Sequence, residues 1–263
     1  MRPAFPPLCA QGLDADALLA KHPHLIVCPM TGWGTTGPDA GKPVYDVAGF
    51  WARSGAAHTH IPGEGDYPPV LAPGLGDITT GLSAVGGICA ALVSRGKTGK
   101  GRVVTTNLLR TGLFVNSWAM SALFARGRQS RWGPRTAGGN PLLNVYQSAD
   151  GKYFWLLGAE SNRHWPTTCR AMGKPEWIDG EEYKTGGDRR KKQKQLLAEM
   201  DAIFKTKDLA TWGEAFDREG VWWQKVNEPQ EAYDDPQAKA TGAFVDVPMS
   251  QVCTYVLLHT VGF

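Results

Sequence analysis

Ala72-Pro73-Gly74-Leu75-Gly76-Asp77-Ile78-Thr79-Thr80-Gly81 is the stretch on which the reading of this chain turns. A glycine-rich turn opens there into an apolar run that continues to about Arg95. Ile78, Leu82, Val85, Cys89 and Leu92 recur at three- and four-residue spacing, the signature of one apolar helix face. Between them lie Gly81, Ser83, Ala84, Gly86, Gly87, Ala90 and Ala91. Such small residues cost helix propensity but let another backbone come close. The expectation is a buried helix with Asp77 at its N-terminal end. That aspartate has two readings. It is an N-cap, accepting a hydrogen bond from a first-turn N–H. Or it is a reactive carboxylate, held where a helix N-terminus favours negative charge, with glycines on both sides leaving room for a substrate.

Composition bounds what such a site could serve. Of 263 residues, 42% are hydrophobic and 20% charged, enough for a core in one large or two modest domains. A net charge of +3 leaves no footprint for nucleic acid. The basic cluster Arg189-Arg190-Lys191-Lys192, with Lys194, stands beside Asp188 and Glu199 and reads as a solvated helix face. Five cysteines, at 9, 28, 89, 169 and 253, form no CxxC and read as reduced thiols of an intracellular protein. No apolar run reads as long enough to span a bilayer. The leader, with Pro3, Pro6 and Pro7, lacks the apolar core of a secretory signal. The expected setting is cytoplasmic, or mitochondrial in a eukaryote, with neither nucleic acid nor membrane as partner. Ten tryptophans and 32 glycines suit tight loops around aromatic-lined surfaces, a hint of a ligand site.

Ahead of the central stretch, Asp14 starts a short helix that stops before Pro23. Leu25-Ile26-Val27-Cys28 reads as a strand of the kind buried in a parallel sheet. Gly32-Trp33-Gly34-Thr35-Thr36-Gly37 then spells GxGxxG. A dinucleotide fingerprint needs its third glycine inside a helix that runs on. Pro38, Gly41 and Pro43 keep this chain in a loop instead, so the nicotinamide reading is set aside. Val44 to Gly55 suits a helix with Val47, Phe50 and Trp51 on one side. His58-Thr59-His60 has metal-ligand spacing on a strand but no further ligand cluster beside it, so loop histidines are the better reading and no metal is expected.

Behind it, Gly96-Lys97-Thr98-Gly99-Lys100-Gly101-Arg102 enters a strand at Val103, where a phosphate-cradling lysine would open a helix, so it reads as a turn. Leu108 to Arg126 reads as one helix with Leu109, Leu113, Trp118 and Leu123 available for packing. From Arg126 the composition shifts to a polar, glycine-rich linker. Ala137-Gly138-Gly139-Asn140-Pro141 reads as a mobile glycine loop or a plain interdomain turn. Tyr146 to Leu157 is a hairpin turning at Asp150-Gly151. Helices are expected over 161–172, 189–205 and 209–218, a strand over 221–226, and a polar helix or turn over 229–238. The fold class is α/β. A partial Rossmann-like large domain (1–135) with a helical connector carries the Asp77 helix. A small α+β domain (136–248) follows, then an atypical tail (249–263), apolar and β-prone.

Several motifs now stand in one order: Leu25-Ile26-Val27 with GWGTTGP, the Gly76-Asp77 helix with Thr80-Gly81, the Lys97–Gly101 turn, and AGGNP before the Asp150-Gly151-Lys152 hairpin. That combination, over about residues 13 to 248, resembles the family III CoA-transferases, the CaiB/BaiF or formyl-CoA-transferase-like group. The resemblance implies that Asp77 is the nucleophile. It attacks the thioester of an acyl-CoA to form a mixed anhydride, then an aspartyl-CoA thioester that passes CoA to a carboxylic acid. Val44, Tyr45 and Asp46 match the segment that holds coenzyme A. Gly138, Gly139 and Asn140 match a substrate-binding loop that closes over the activated intermediate. Tyr45 is otherwise a packed aromatic. Coenzyme A, as substrate and product thioester, is the only cofactor implied, and acyl-CoA and a small carboxylic acid are the partners.

A racemase branch of the same superfamily places a histidine where this chain has Tyr45. A phenol with an ordinary pKa near 10 is a poor base for an α-proton. The resemblance therefore favours transfer, with 2-methylacyl-CoA racemisation and non-catalytic CoA binding as alternatives. Family members also begin with a nucleotide-binding segment and return at the end to complete the large domain. Neither part is matched here, so the chain reads as truncated at both ends, from a protein that is an interlocked homodimer when full length.

Overall fold

The computed structural model describes residues 12–129, 131–248 and 254–258. The leader 1–11, Cys9, Cys253 and most of the tail read above lie outside them. The chain divides into two compact units, Met1–Ala137 and Gly138–Phe263.

In the N-terminal unit, α1 (Ala15–Lys21) leads to two short strands, β1 (Ile26–Val27) and β2 (Met30–Thr31). A π-helical turn, Val47–Ala52, and α2 (Ala56–Thr59) follow. The long helix α3 (Leu75–Thr98) then crosses back to β3 (Arg102–Val103) and β4 (Thr106–Asn107). β1 pairs parallel with β3, Val27 opposite Val103, and β2 parallel with β4, Thr31 opposite Asn107. Parallel pairing requires a long crossover, and α3 is its main element. Ile26 and Val27 are half-buried, less enclosed than the expected sheet-core strand. His58 and Thr59, read as strand or loop, belong to the short helix α2.

The expected helix over 108–126 is two, α4 (Leu108–Val115) and α5 (Ser117–Arg126). They break at Asn116, whose buried amide donates to the Ser54 carbonyl. Leu113 and Trp118, read as available for packing, are exposed, while Leu108, Thr111, Gly112 and Ala119 are buried.

The largest departure is α3 itself. It is not a buried helix, and its apolar stripe does not face inward. Ile78 is 70% exposed, and Leu82, Val85, Cys89 and Leu92 are exposed as well. At 3.6 residues per turn the opposite face carries Gly76, Thr80, Ala84, Gly87 and Ala91, and that face packs. A Cβ on Gly76 would come 2.7 Å from Phe50 Cβ, and one on Gly87 2.5 Å from Val104 Cγ1. Close backbone approach thus decides the orientation. The helix also runs three residues past Arg95, to a left-handed Gly99. Its most apolar 18-residue window has a mean hydropathy of 1.4, enough for a membrane crossing by length and composition alone. The reading that no run is long enough is thereby corrected.

The C-terminal unit is a three-stranded antiparallel sheet, β5 (Leu143–Gln147), β6 (Tyr153–Leu157) and β7 (Trp223–Lys225), in the order β5-β6-β7. Tyr146 stands opposite Phe154, and Leu156 opposite Trp223. Burial alternates along β6 with period two, Phe154 and Leu156 inward. Four helices follow β6: α6 (Ser161–Ala171), α7 (Gly186–Lys191), α8 (Gln193–Phe204) and α9 (Leu209–Glu219). The expected helix over 189–205 is therefore split at Lys192. The polar segment over 229–238 is α10 (Pro229–Asp234) and α11 (Pro236–Ala240). β8 (Phe244–Pro248) pairs antiparallel with β9 (Thr254–Leu258).

The core of this unit is aromatic. Phe204 meets Tyr146, Phe154 and Trp212 edge-on at 4.8–5.2 Å between ring centres. Arg189, expected on a solvated face, is fully buried. Its guanidinium donates to the carbonyls of Tyr183 and Lys184, to Ser161 Oγ and to Asn162 Oδ1, and lies 4.8 Å over Trp165. A neutral cage of acceptors and an aromatic face replaces the carboxylate that a buried charge ordinarily needs. Cys28, Cys89 and Cys169 are free thiols. Burial pushes the Cys169 thiol up to about 12.

Candidate active site

Asp77 occupies the third position of α3. Gly74 precedes the helix at φ +76°, a left-handed turn suited to glycine, and aims the chain into it. Gly76 lies flat against the π-helical turn, where Asp46 and Phe50 leave no room for a side chain. The Asp46 carboxylate accepts the Gly76 N–H at 3.3 Å. The helix terminus is therefore capped from another element. Asp77 is exposed and has no hydrogen-bond or ion-pair partner among the described residues. Its N-cap reading does not hold. One carboxylate does the capping and a second, one residue beyond the capped N–H, is left bare.

The segment before the turn is placed by glycine too. A Cβ on Gly32 would sit 1.7 Å from Val44 Cγ1, so the first glycine of GWGTTGP exists to admit Val44. The loop leaves the carboxyl end of β2, as ligand loops of parallel sheets do, and is no dinucleotide turn: Gly34 and Gly37 are left-handed and no helix starts there. Val44 is half-buried, while Tyr45 is 83% exposed rather than packed. Val44, Tyr45 and Asp46 are thus brought to the mouth of α3. Close by, the Trp33 ring lies 4.8 Å under the Arg53 guanidinium, and its buried Nε1 has no hydrogen-bond partner among the described residues. Arg53 and Lys42 both pair with Asp39, and those contacts, Lys42 first, hold the Asp39 carboxyl below its usual range.

A cleft of about 400 Å³ opens on the other side of the same helical turn. Leu75 and Thr79 line it, with Trp51, His60, Val70 and Val115. Asp77 is two residues from each of the first two, about half a turn round the helix, and is not among the lining residues. His60 Nδ1 donates to the Ala56 carbonyl (2.8 Å), and the ring packs on Trp51 at 4.9 Å. The cleft was not legible in the sequence. Its walls come from four separate elements and share no spacing.

The glycine loop belongs to the C-terminal unit and is tied down. Gly139, at φ +72°, donates its N–H to Gln193 Oε1 at 3.0 Å. The Asn140 side chain donates to the Gly158 carbonyl and accepts from the Leu142 N–H, each at 3.0 Å. Gly138 is exposed. Gln193 could not have been anticipated, because it lies 54 residues from its partner.

A model of CoA-transferase family III matches residues 6–261, beyond the 13–248 over which the motifs were read. The chain is 32% identical over 244 residues to the succinyl-CoA:glutarate CoA-transferase of Homo sapiens, covering 91% of this chain and 54% of that protein. It is 28% identical over 259 residues to the formyl-CoA:oxalate CoA-transferase of Shigella sonnei, covering 90% and 61%. The chain spans about half the length of the curated relatives it matches. In three dimensions it is similar to a CaiB/BaiF family protein from Brucella suis, with a TM-score of 0.80 at 23% identity, over 97% of this chain and 69% of that one.

Proposed function

Because the chain belongs to CoA-transferase family III, we propose that it moves coenzyme A from an acyl-CoA thioester to a carboxylic acid, with Asp77 as the nucleophile. The observation that carries this reading is the bare, exposed Asp77 carboxylate on the first turn of α3, with Asp46 taking the capping bond in its place. A carboxylate oxygen of Asp77 attacks the thioester carbonyl and expels CoA as its thiolate, leaving a mixed anhydride. The thiolate then attacks the Asp77 carbonyl and releases the donor acid, leaving an aspartyl-CoA thioester. The acceptor carboxylate repeats the two steps in reverse and regenerates Asp77. No proton need move, and each barrier is lower than that of a single direct exchange. Val44, Tyr45 and Asp46 hold the coenzyme, Tyr45 offering an open ring face. Gly138, Gly139 and Asn140 bind the substrate.

Two of the relatives above are named for succinyl-CoA with glutarate and formyl-CoA with oxalate, so those are the first pairs to assay. Mass spectrometry of the CoA products is expected to detect transfer in the parent chain, and Asp77→Asn to lower the rate by about four orders of magnitude with the far-UV spectrum unchanged. Transfer at the parental rate in Asp77→Asn overturns the nucleophile. Tight CoA binding by the parent, with no transfer to any of a panel of carboxylic acids and no hydroxylamine-sensitive acyl-enzyme, overturns the enzyme in favour of a CoA-binding protein.

A further inference from the structure

The Gly139 N–H can be received only by the oxygen of the Gln193 amide, so that bond fixes which end of the side chain is which. The other end, Nε2, is a two-proton donor. It is sealed from solvent with no hydrogen-bond partner among the described residues. Gln193 is 8% exposed, so bulk water does not supply the missing acceptor. A buried donor left unpaired is costly, and nearly all such groups in folded proteins find a partner. The side chain is equipped to make two kinds of bond to the loop and makes one.

The peptide unit that presents the Gly139 N–H carries the Gly138 carbonyl on its opposite edge, because the bond is trans and planar. Turning that one plane by about half a revolution changes only Gly138 ψ and Gly139 φ to first order. Gly139 stands at φ +72° and would pass to negative φ. Glycine occupies both signs at little cost, and both flanking residues are glycine.

We propose that Gln193 is a positioning residue that holds the Gly138–Gly139 peptide in two alternative orientations. In the first, Oε1 takes the Gly139 N–H, as described above. In the second, the Gln193 amide also turns end for end, so that Nε2 donates to the Gly138 carbonyl, and the Gly139 N–H turns outward as a donor for a carboxylate or thioester oxygen. The two orientations follow from the loop and Gln193 alone. The substrate oxygen as recipient rests on the reading of the loop under Proposed function.

The test is nitrogen-15 relaxation dispersion on the full chain at pH 8, which reports exchange between such states on the microsecond to millisecond scale. Exchange is expected at the Gly139 amide of the parent. In Gln193→Glu the acceptor is kept and the donor lost, so the first orientation is locked and the exchange is quenched. In Gln193→Met both are lost, and hydrogen exchange of the Gly139 amide quickens about tenfold. No exchange at Gly139 in the parent, or the same exchange in Gln193→Glu, overturns the proposal. The same variants in the transfer assay separate the two readings. Gln193→Glu is expected to lower kcat about tenfold while KM for the acyl-CoA stays within about twofold. If dispersion responds as stated while kcat does not, the two orientations are upheld and the loop's part in the substrate site is overturned.

Discussion

Phe204 and Leu82 stand on helices that look alike on paper. Each has apolar residues at three- and four-residue spacing. In α8 that stripe, Leu196, Leu197, Met200 and Phe204, is wholly buried. In α3 the stripe is turned outward, and the helix packs through glycine, alanine and threonine. The buried apolar cluster of the C-terminal unit runs to eighteen described residues, that of the N-terminal unit to Phe50, Leu71 and Leu108. Side-chain volume holds the first unit together; backbone proximity holds the second. Periodicity announces that a helix has two faces. It does not say which face is inside when the other one lets main chain meet main chain.

That contrast can be broken. The largest effect belongs to the aromatic cluster. Phe204→Ala removes a ring in contact with Tyr146, Phe154, Trp212 and Phe216. It should cost about 3–5 kcal/mol in urea unfolding followed by tryptophan fluorescence. A loss near zero would mean that this cluster is not the core it resembles.

A smaller but more telling effect is expected in the N-terminal unit, where glycine should matter more than leucine. A Cβ on Gly112 would lie 2.2 Å from the Phe50 carbonyl oxygen, a contact that only a backbone shift can relieve. Gly112→Ala should therefore destabilise by about 1–3 kcal/mol. Leu82→Gln on the outer stripe should stay within about 0.5 kcal/mol. The reverse order would show that the stripe is the true core face.

The smallest effect is on pH dependence. Asp208 caps α9 through Thr211 and Asp150 ties its turn to Ser148 and Leu209. These hydrogen bonds, to the Thr211 and Ser148 side chains first, hold both carboxyls below their usual range. A group whose folded pKa is depressed stabilises the fold above its unfolded pKa and loses that contribution as pH falls through the folded value. The melting temperature of the C-terminal unit should be flat from pH 7 to about 5 and decline below about 4. Asp208→Asn should reduce the slope of that decline. An unchanged slope would remove the cap from the account.

The sheet and helices of the C-terminal unit were legible because their signals are local. Alternation in Tyr153–Leu157, the Asp150-Gly151 turn and amphipathic spacing all act within a dozen residues. Arg189 escaped because burial of a charge depends on acceptors from Ser161 and Asn162, 28 and 27 residues away, as well as from the nearer Tyr183. At the candidate site, Asp77 was legible as the acid at a helix start. The partner that relieves it of capping, Asp46, was named for another reason altogether.

The sequence by itself determined, apart from the breaks at Asn116 and Lys192 and the helix at His58–Thr59, which segments become helices and strands, and that a carboxylate sits at the first turn of a small-residue helix. Those outcomes depend on dihedral preference and on neighbours three or four residues away. Only the tertiary structure decided which side of α3 is inside, that Asp46 caps it, and that Gln193 holds the glycine loop. Each of those depends on surfaces and donors brought together from distant parts of the chain, and spacing along a sequence carries no record of such meetings.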